Sequence, residues 1–109
     1  MISTQLADMQ EAAAGVAALL KTLGNPDRLL LLCQLSQGEC NVSELEARAG
    51  ISQPTLSQQL TVLRNEGLVS TRRDGKRIYY SVADEKVLVL LNTLYQLYCP
   101  KKEEKQDEH

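Results

Sequence analysis

A chain of 109 residues with 43% hydrophobic side chains has room for one core, and with no Trp, no Phe and four Tyr that core is built from Leu, Val, Ile and Ala. Twelve basic residues against fourteen acidic ones give a net charge of −2, which excludes nucleic-acid binding through overall charge and leaves that task to a local basic face. No uninterrupted apolar run is longer than five residues, as in Val87 to Leu91, far below the roughly 20 residues of a membrane span, so no membrane partner and a cytoplasmic location are expected.

In chain order, Gln5 to Leu23 reads as a helix whose apolar positions include Ala12, Val16, Leu19, Leu20 and Leu23. Asn25-Pro26 opens a second helix, in which Cys33 stands four residues after Leu29 and three after Leu30 and reads as a small buried hydrophobe. The stretch from Gln37 to Asn41 is a turn, so Cys40 is expected to be the most exposed of the three cysteines. Val42 to Ala49 is a short helix with Val42, Leu45 and Ala49 on one face, and Gly50-Ile51-Ser52 has the length of the turn in a helix-turn-helix. The next helix is expected to take Ser52 as its N-cap and Pro54 in its first turn, with Leu56, Leu60 and Leu63 pointing inward. Its outward face is Gln53, Thr55, Ser57, Gln58, Gln59 and Thr61, all uncharged donors and acceptors. Gln bonds adenine in a bidentate way, and Ser or Thr serves several bases or a phosphate, so this face suits the major groove of operator DNA.

Two strand-like runs follow, Leu68 to Arg73 and Arg77 to Val82, joined by Asp74-Gly75-Lys76 as a hairpin. Arg64, Arg72, Arg73, Lys76 and Arg77 are five of the twelve basic residues within fourteen positions, against only Glu66 and Asp74. The local charge is near +3. A basic hairpin beside a recognition helix is a wing that neutralises phosphates the helix cannot reach. The last helix, Val87 to Tyr98, is apolar nearly all round and needs cover on two sides. A homodimer through the terminal helices is therefore expected, with recognition helices about 34 Å apart on a palindrome. The expected fold is mainly α with a small β-hairpin, a winged helix-turn-helix in the order α-α-α-α-β-β-α, occupying residues 1–100 ahead of a charged flexible tail at 101–109.

Cytoplasmic cysteines are seldom structural disulfides, which leaves Cys33, Cys40 and Cys99 as buried thiols, metal ligands or redox sensors. Four stretches together resemble the ArsR/SmtB family of winged-helix dimeric repressors over nearly the whole chain. They run from Leu23 to Cys33, from Gly38 to Leu45, from Ile51 to Arg64 and from Gly75 to Ser81. Many members of that family sense metals through a Cys-x-Cys pair at the start of the helix-turn-helix, or through Asp, His and Glu ligands on the last helix. This chain departs from both patterns. Asn41 and Ser43 stand where the thiolates would be, Cys40 is one step out of place, and the only histidine is His109, so no metal or other cofactor is expected.

The positions of Cys33 and Cys99 resemble the BigR/SqrR-like (YgaV/HlyU-like) branch. That resemblance implies that the two thiols react with persulfides or other reactive sulfur species, form a di- or polysulfide bridge within one protomer, and release the dimer from its operator. Cys40 is then an accessory thiol at most. Two other readings are a repressor sensing a trivalent metalloid through Cys33, Cys40 and Cys99, and a redox-insensitive anti-repressor. A small thiol enzyme is poorly supported, because the chain has no Cys-x-x-Cys, no Gly-rich phosphate loop and no histidine near a cysteine.

Overall fold

The computed structural model describes residues 2–99, with side-chain environments from residue 5 onward. The expected tail at 101–109 lies outside the described residues. The elements run α1 (Ile2–Leu23), α2 (Pro26–Leu35), β1 (Cys40–Asn41), α3 (Val42–Ala49), α4 (Thr55–Asn65), β2 (Val69–Asp74), β3 (Arg77–Val82) and α5 (Glu85–Tyr98). This is the winged helix-turn-helix read from the sequence, with one short strand added.

Local chemistry sets the helix boundaries. Asn25 caps α2 by accepting from the Arg28 amide at 3.1 Å, and Pro26 fills the first turn, where a missing N–H leaves nothing unpaired. Asn41 and Glu44 form a reciprocal capping box on α3, each side chain accepting from the other's amide at 2.9 Å. Gly50 ends α3 with φ +70, a left-handed conformation that costs glycine nothing. The expectation for Ser52 is corrected: α4 begins three residues later, and the Ser52 carbonyl accepts from the Leu56 amide. The Gln53 side chain takes over the capping work, its Oε1 accepting from the Ser57 amide at 3.1 Å.

β2 and β3 pair antiparallel from Val69↔Val82 to Asp74↔Arg77, so the loop between them is the two residues Gly75 and Lys76, with Gly75 at φ +65. β1 adds to the other edge of β3, Cys40 opposite Tyr80 and Asn41 opposite Tyr79, which makes a three-stranded sheet in the order β1-β3-β2. Under the sheet, Leu31, Leu32, Leu45, Leu56, Leu63 and Leu91 are fully buried. Each contributes on the order of 1.5–3 kcal/mol of transfer free energy, a large share of what a domain this small can bury.

The terminal helices behave differently. α1 meets the body through its last turn, where Thr22 and Leu23 are buried, while Leu6, Met9, Val16 and Leu20 are exposed. α5 buries Val87 and Leu91 but leaves Val89, Tyr95, Leu97 and Tyr98 exposed. Eight of the nine exposed large apolar side chains among the described residues thus sit on these two helices, the ninth being Leu30. Among the described residues, no helix is long and apolar enough to cross a membrane.

Candidate nucleic-acid interface and thiol pair

On α4 the leucine stripe packs inward, with Leu56 and Leu63 at 0% exposure, and this fixes which side chains look outward. Gln53, Ser57, Gln58, Thr61 and Arg64 are exposed, and Thr55 and Gln59 are half-buried. Several of them already have partners. Ser57 Oγ donates to Gln53 Oε1 at 2.6 Å, Thr61 Oγ1 donates to the Ser57 carbonyl at 2.9 Å, and Arg28 Nη1 donates to Gln59 Oε1 at 3.1 Å. The face therefore has a fixed flank at Gln59 and an exposed middle at Gln58.

The wing arginines divide into two kinds. Arg72 is engaged inside the chain: its Nε donates to both oxygens of Glu39 at 3.0 Å, and its guanidinium lies 4.7 Å from the centre of the Tyr79 ring. The hydrogen bond from Arg72 holds the Glu39 carboxyl below the usual carboxylate range. With Glu39 counted, the local net charge falls to +2, and Arg64, Arg73, Lys76 and Arg77 remain as exposed cations outside that pair. Sequence reading missed Glu39 because it lies 33 positions from Arg72. The Tyr79 contact was available in principle, since Arg72 and Tyr79 are directly opposed once the hairpin register is drawn.

The thiols also sort by environment. Cys33 is half-buried on α2, Cys99 is exposed at the C-cap of α5, and all three cysteines are free. α2 packs against α5, and the Cys33 thiol is pushed up, first by burial and then by the charge of Cys99. The packed pair of helices thus carries both thiols, Cys33 along α2 and Cys99 at the end of α5.

The expectation for Cys40 is corrected. It is 1% exposed, because pairing with β3 makes it an edge-strand residue whose side chain joins the core, where its Sγ accepts from Arg48 Nη1 at 3.2 Å and faces the Gly38 carbonyl at 3.7 Å. A two-residue strand leaves no alternation by which the sequence could have shown this. Among the described residues, no three His, Cys, Asp or Glu side chains converge to hold a metal ion.

Comparison with known proteins agrees with this geometry. The family model described as "Bacterial regulatory protein, arsR family" matches residues 25–71, from the start of α2 into β2. The Biofilm growth-associated repressor of Agrobacterium fabrum is 53% identical over 95 residues, which cover 87% of this chain and 81% of that protein. The crystal structure of the transcriptional repressor BigR from Xylella fastidiosa matches with a TM-score of 0.80 at 52% identity, covering 86% of this chain and 96% of that one. The solution structure of the homodimeric winged helix-turn-helix DNA-binding domain Mb0332 from Mycobacterium bovis matches with a TM-score of 0.69 at 33% identity, over 93% and 90% of the two chains. On the fold and on relatives spanning most of both sequences, the chain belongs to the ArsR family of bacterial transcriptional regulators, in the branch that holds BigR.

Proposed function

We propose that this protein is a homodimeric repressor which binds palindromic operator DNA through α4 and the wing, and lets go when Cys33 and Cys99 become bridged by sulfur. The observation that carries the reading is the packing of α2, which bears Cys33, against α5, which ends at Cys99. α5 also presents Leu97 at 69% and Tyr98 at 79% exposure, and α1 leaves Leu6, Met9, Val16 and Leu20 bare, apolar surface that a second protomer would cover. A bridge at Cys99 would therefore act at the edge of the dimer contact. A shift there changes the spacing of the two recognition helices.

The chemistry balances without a separate oxidant. Exposed Cys99 meets a low-molecular-weight persulfide first, and its thiolate attacks the outer sulfur, leaving a protein persulfide and releasing the carrier thiol. Cys33 then attacks the sulfur bonded to Cys99 Cβ, forming a disulfide and expelling hydrosulfide. If Cys33 has itself been persulfidated, its terminal sulfur makes the same attack and the product is a trisulfide. Because bridge length adapts, the pair tolerates a gap too wide for a simple disulfide.

A three-thiol metalloid site would require Cys40 to leave the core and its Arg48 contact. The test is intact-mass spectrometry after treatment with glutathione persulfide, beside an operator-binding titration of the same sample. A Cys33–Cys99 bridge, either a disulfide lighter by two hydrogens or a trisulfide carrying one added sulfur, with lost affinity is the expected outcome. Unchanged mass and affinity would refute it.

A further inference from the structure

Arg28, near the start of α2, reaches two other helices. Its Nε donates to the Thr22 carbonyl at 2.7 Å, and its Nη1 donates to Gln59 Oε1 at 3.1 Å. Thr22 lies in the last turn of α1, where carbonyls have no partner within the helix, so Arg28 also satisfies that helix end. The side chain is half-buried, as is Gln59. One planar fork thus joins α1, α2 and the recognition helix α4.

The chemistry of the fork decides what Gln59 can present. A guanidinium carries donors and no acceptor, so the Gln59 amide has to turn its oxygen to Arg28, and its NH2 group occupies the opposite branch. A free glutamine offers an acceptor and a donor side by side, which is the match for adenine N6 and N7. Arg28 occupies one of the two lone pairs of the Gln59 oxygen and keeps that oxygen turned toward α2. The group left pointing away from Arg28 is the NH2 donor, suited to guanine O6 or N7, thymine O4 or a phosphate oxygen.

The geometry points to Arg28 as the positioning residue that holds Gln59 as a hydrogen-bond donor on the recognition face, so that operator discrimination depends on a side chain anchored to α1 rather than to DNA. This rests on the reading of α4 as the base-reading helix and adds to it. It also accounts for an arginine kept half-buried between three helices while other basic residues of the chain stand exposed on the wing.

The test compares dissociation constants for an operator duplex and a random duplex at one salt concentration, using the full reduced protein. The variants are Gln59→Leu, Gln58→Ala, Arg28→Met, Arg28→Lys and the double variant Arg28→Met/Gln59→Leu. Gln59→Leu should lower the operator-to-random ratio by about fivefold or more, the lower end of what one specific base contact is worth. Arg28→Met should lower it by a similar factor, with random-DNA affinity unchanged. Arg28→Lys should fall in between, because an ammonium keeps the charge but cannot hold two acceptors in a fixed plane. The double variant should lose no more than the worse single one.

A wild-type ratio in the Arg28 variants, with Gln59→Leu impaired, overturns the proposal; where Arg28→Met does not fold, the Lys variant alone decides. Equal losses on operator and random DNA in the Arg28 variants make Arg28 a phosphate contact and overturn it too. If Gln59→Leu and Gln58→Ala both keep the wild-type ratio, the reading of α4 itself falls, an outcome separate from the other two.

Discussion

The division of the wing arginines makes a quantitative prediction about salt. Four cations per protomer, Arg64, Arg73, Lys76 and Arg77, stand exposed outside the Glu39–Arg72 pair, which gives eight in a dimer. If all eight meet phosphates, the logarithm of operator affinity should fall with the logarithm of salt at a slope of about −7, that is, about 0.9 per contact. Arg77→Gln removes two contacts from the dimer and should flatten the slope by about 1.8. Between about 50 and 200 mM salt, wild-type affinity should then drop on the order of 10⁴-fold and the variant's about 10³-fold. Arg72→Gln should leave the slope within about 0.5 of wild type, because that guanidinium is committed to Glu39 and Tyr79. Fluorescence anisotropy of a labelled operator across a KCl series reads both numbers. A flattening by Arg72→Gln as large as that of Arg77→Gln would show that the ion pair opens on DNA, and would refute the assignment.

Other expectations follow from the same structure. Alkylation of Cys33, followed by mass spectrometry in a Cys40→Ser background, should have its pH midpoint above the ordinary thiol value, and Cys99→Ser should move it only part of the way back because burial is the larger cause. Since the folded thiol holds its proton more tightly than the unfolded one, this contribution to stability is fully present below the ordinary thiol value and is lost as pH rises through the raised one. A melting temperature that is flat across that alkaline window in wild type, or identical in Cys33→Ala, would contradict it. Cys40→Ala should cost about 1 kcal/mol of stability in urea titrations, from the small cavity it leaves, while persulfide-induced release persists. Loss of release in a folded Cys40→Ala protein would instead point to a three-thiol site. Leu97→Glu should give a folded monomer in sedimentation velocity with weakened operator binding, because that side chain is 69% exposed in the single chain. A dimer unchanged by this substitution would move the subunit contact off the end of α5.

The helix-turn-helix and the hairpin were legible because their signals are local: leucines at 56, 60 and 63 mark one face of α4, and the run Arg77 to Val82 after a Gly-containing turn marks a strand. Features set by pairing at a distance were not. β1 is two residues long and exists because β3 offers it an edge, and that pairing turns Cys40 from the expected surface thiol into part of the core. Ser52 has the chemistry of an N-cap, yet with Pro54 at the cap position it is Gln53 that reaches the Ser57 amide, a competition that residue preference alone does not decide. Counting charges along the chain grouped Arg72 with Arg73 and Arg77, and only the fold brings Glu39 alongside it. In the same way Gln59 looked equivalent to Gln58 until the start of α2 was seen to bond it.

The clasp at the base of the wing bears on how fast DNA is recognised. β3 is held on one edge by β2 and on the other by β1, and Arg72 ties β2 to the loop that leaves α2. The hairpin backbone is therefore already ordered in the free protein. On meeting DNA, the exposed long side chains of Arg64, Arg73, Lys76 and Arg77 still have rotamers to freeze, at roughly 0.5–1.5 kcal/mol each. A wing of this kind docks without a folding step, so arrival at DNA is set by diffusion and charge steering and varies little from one sequence to another. Residence time then distinguishes the operator from the rest of the chromosome.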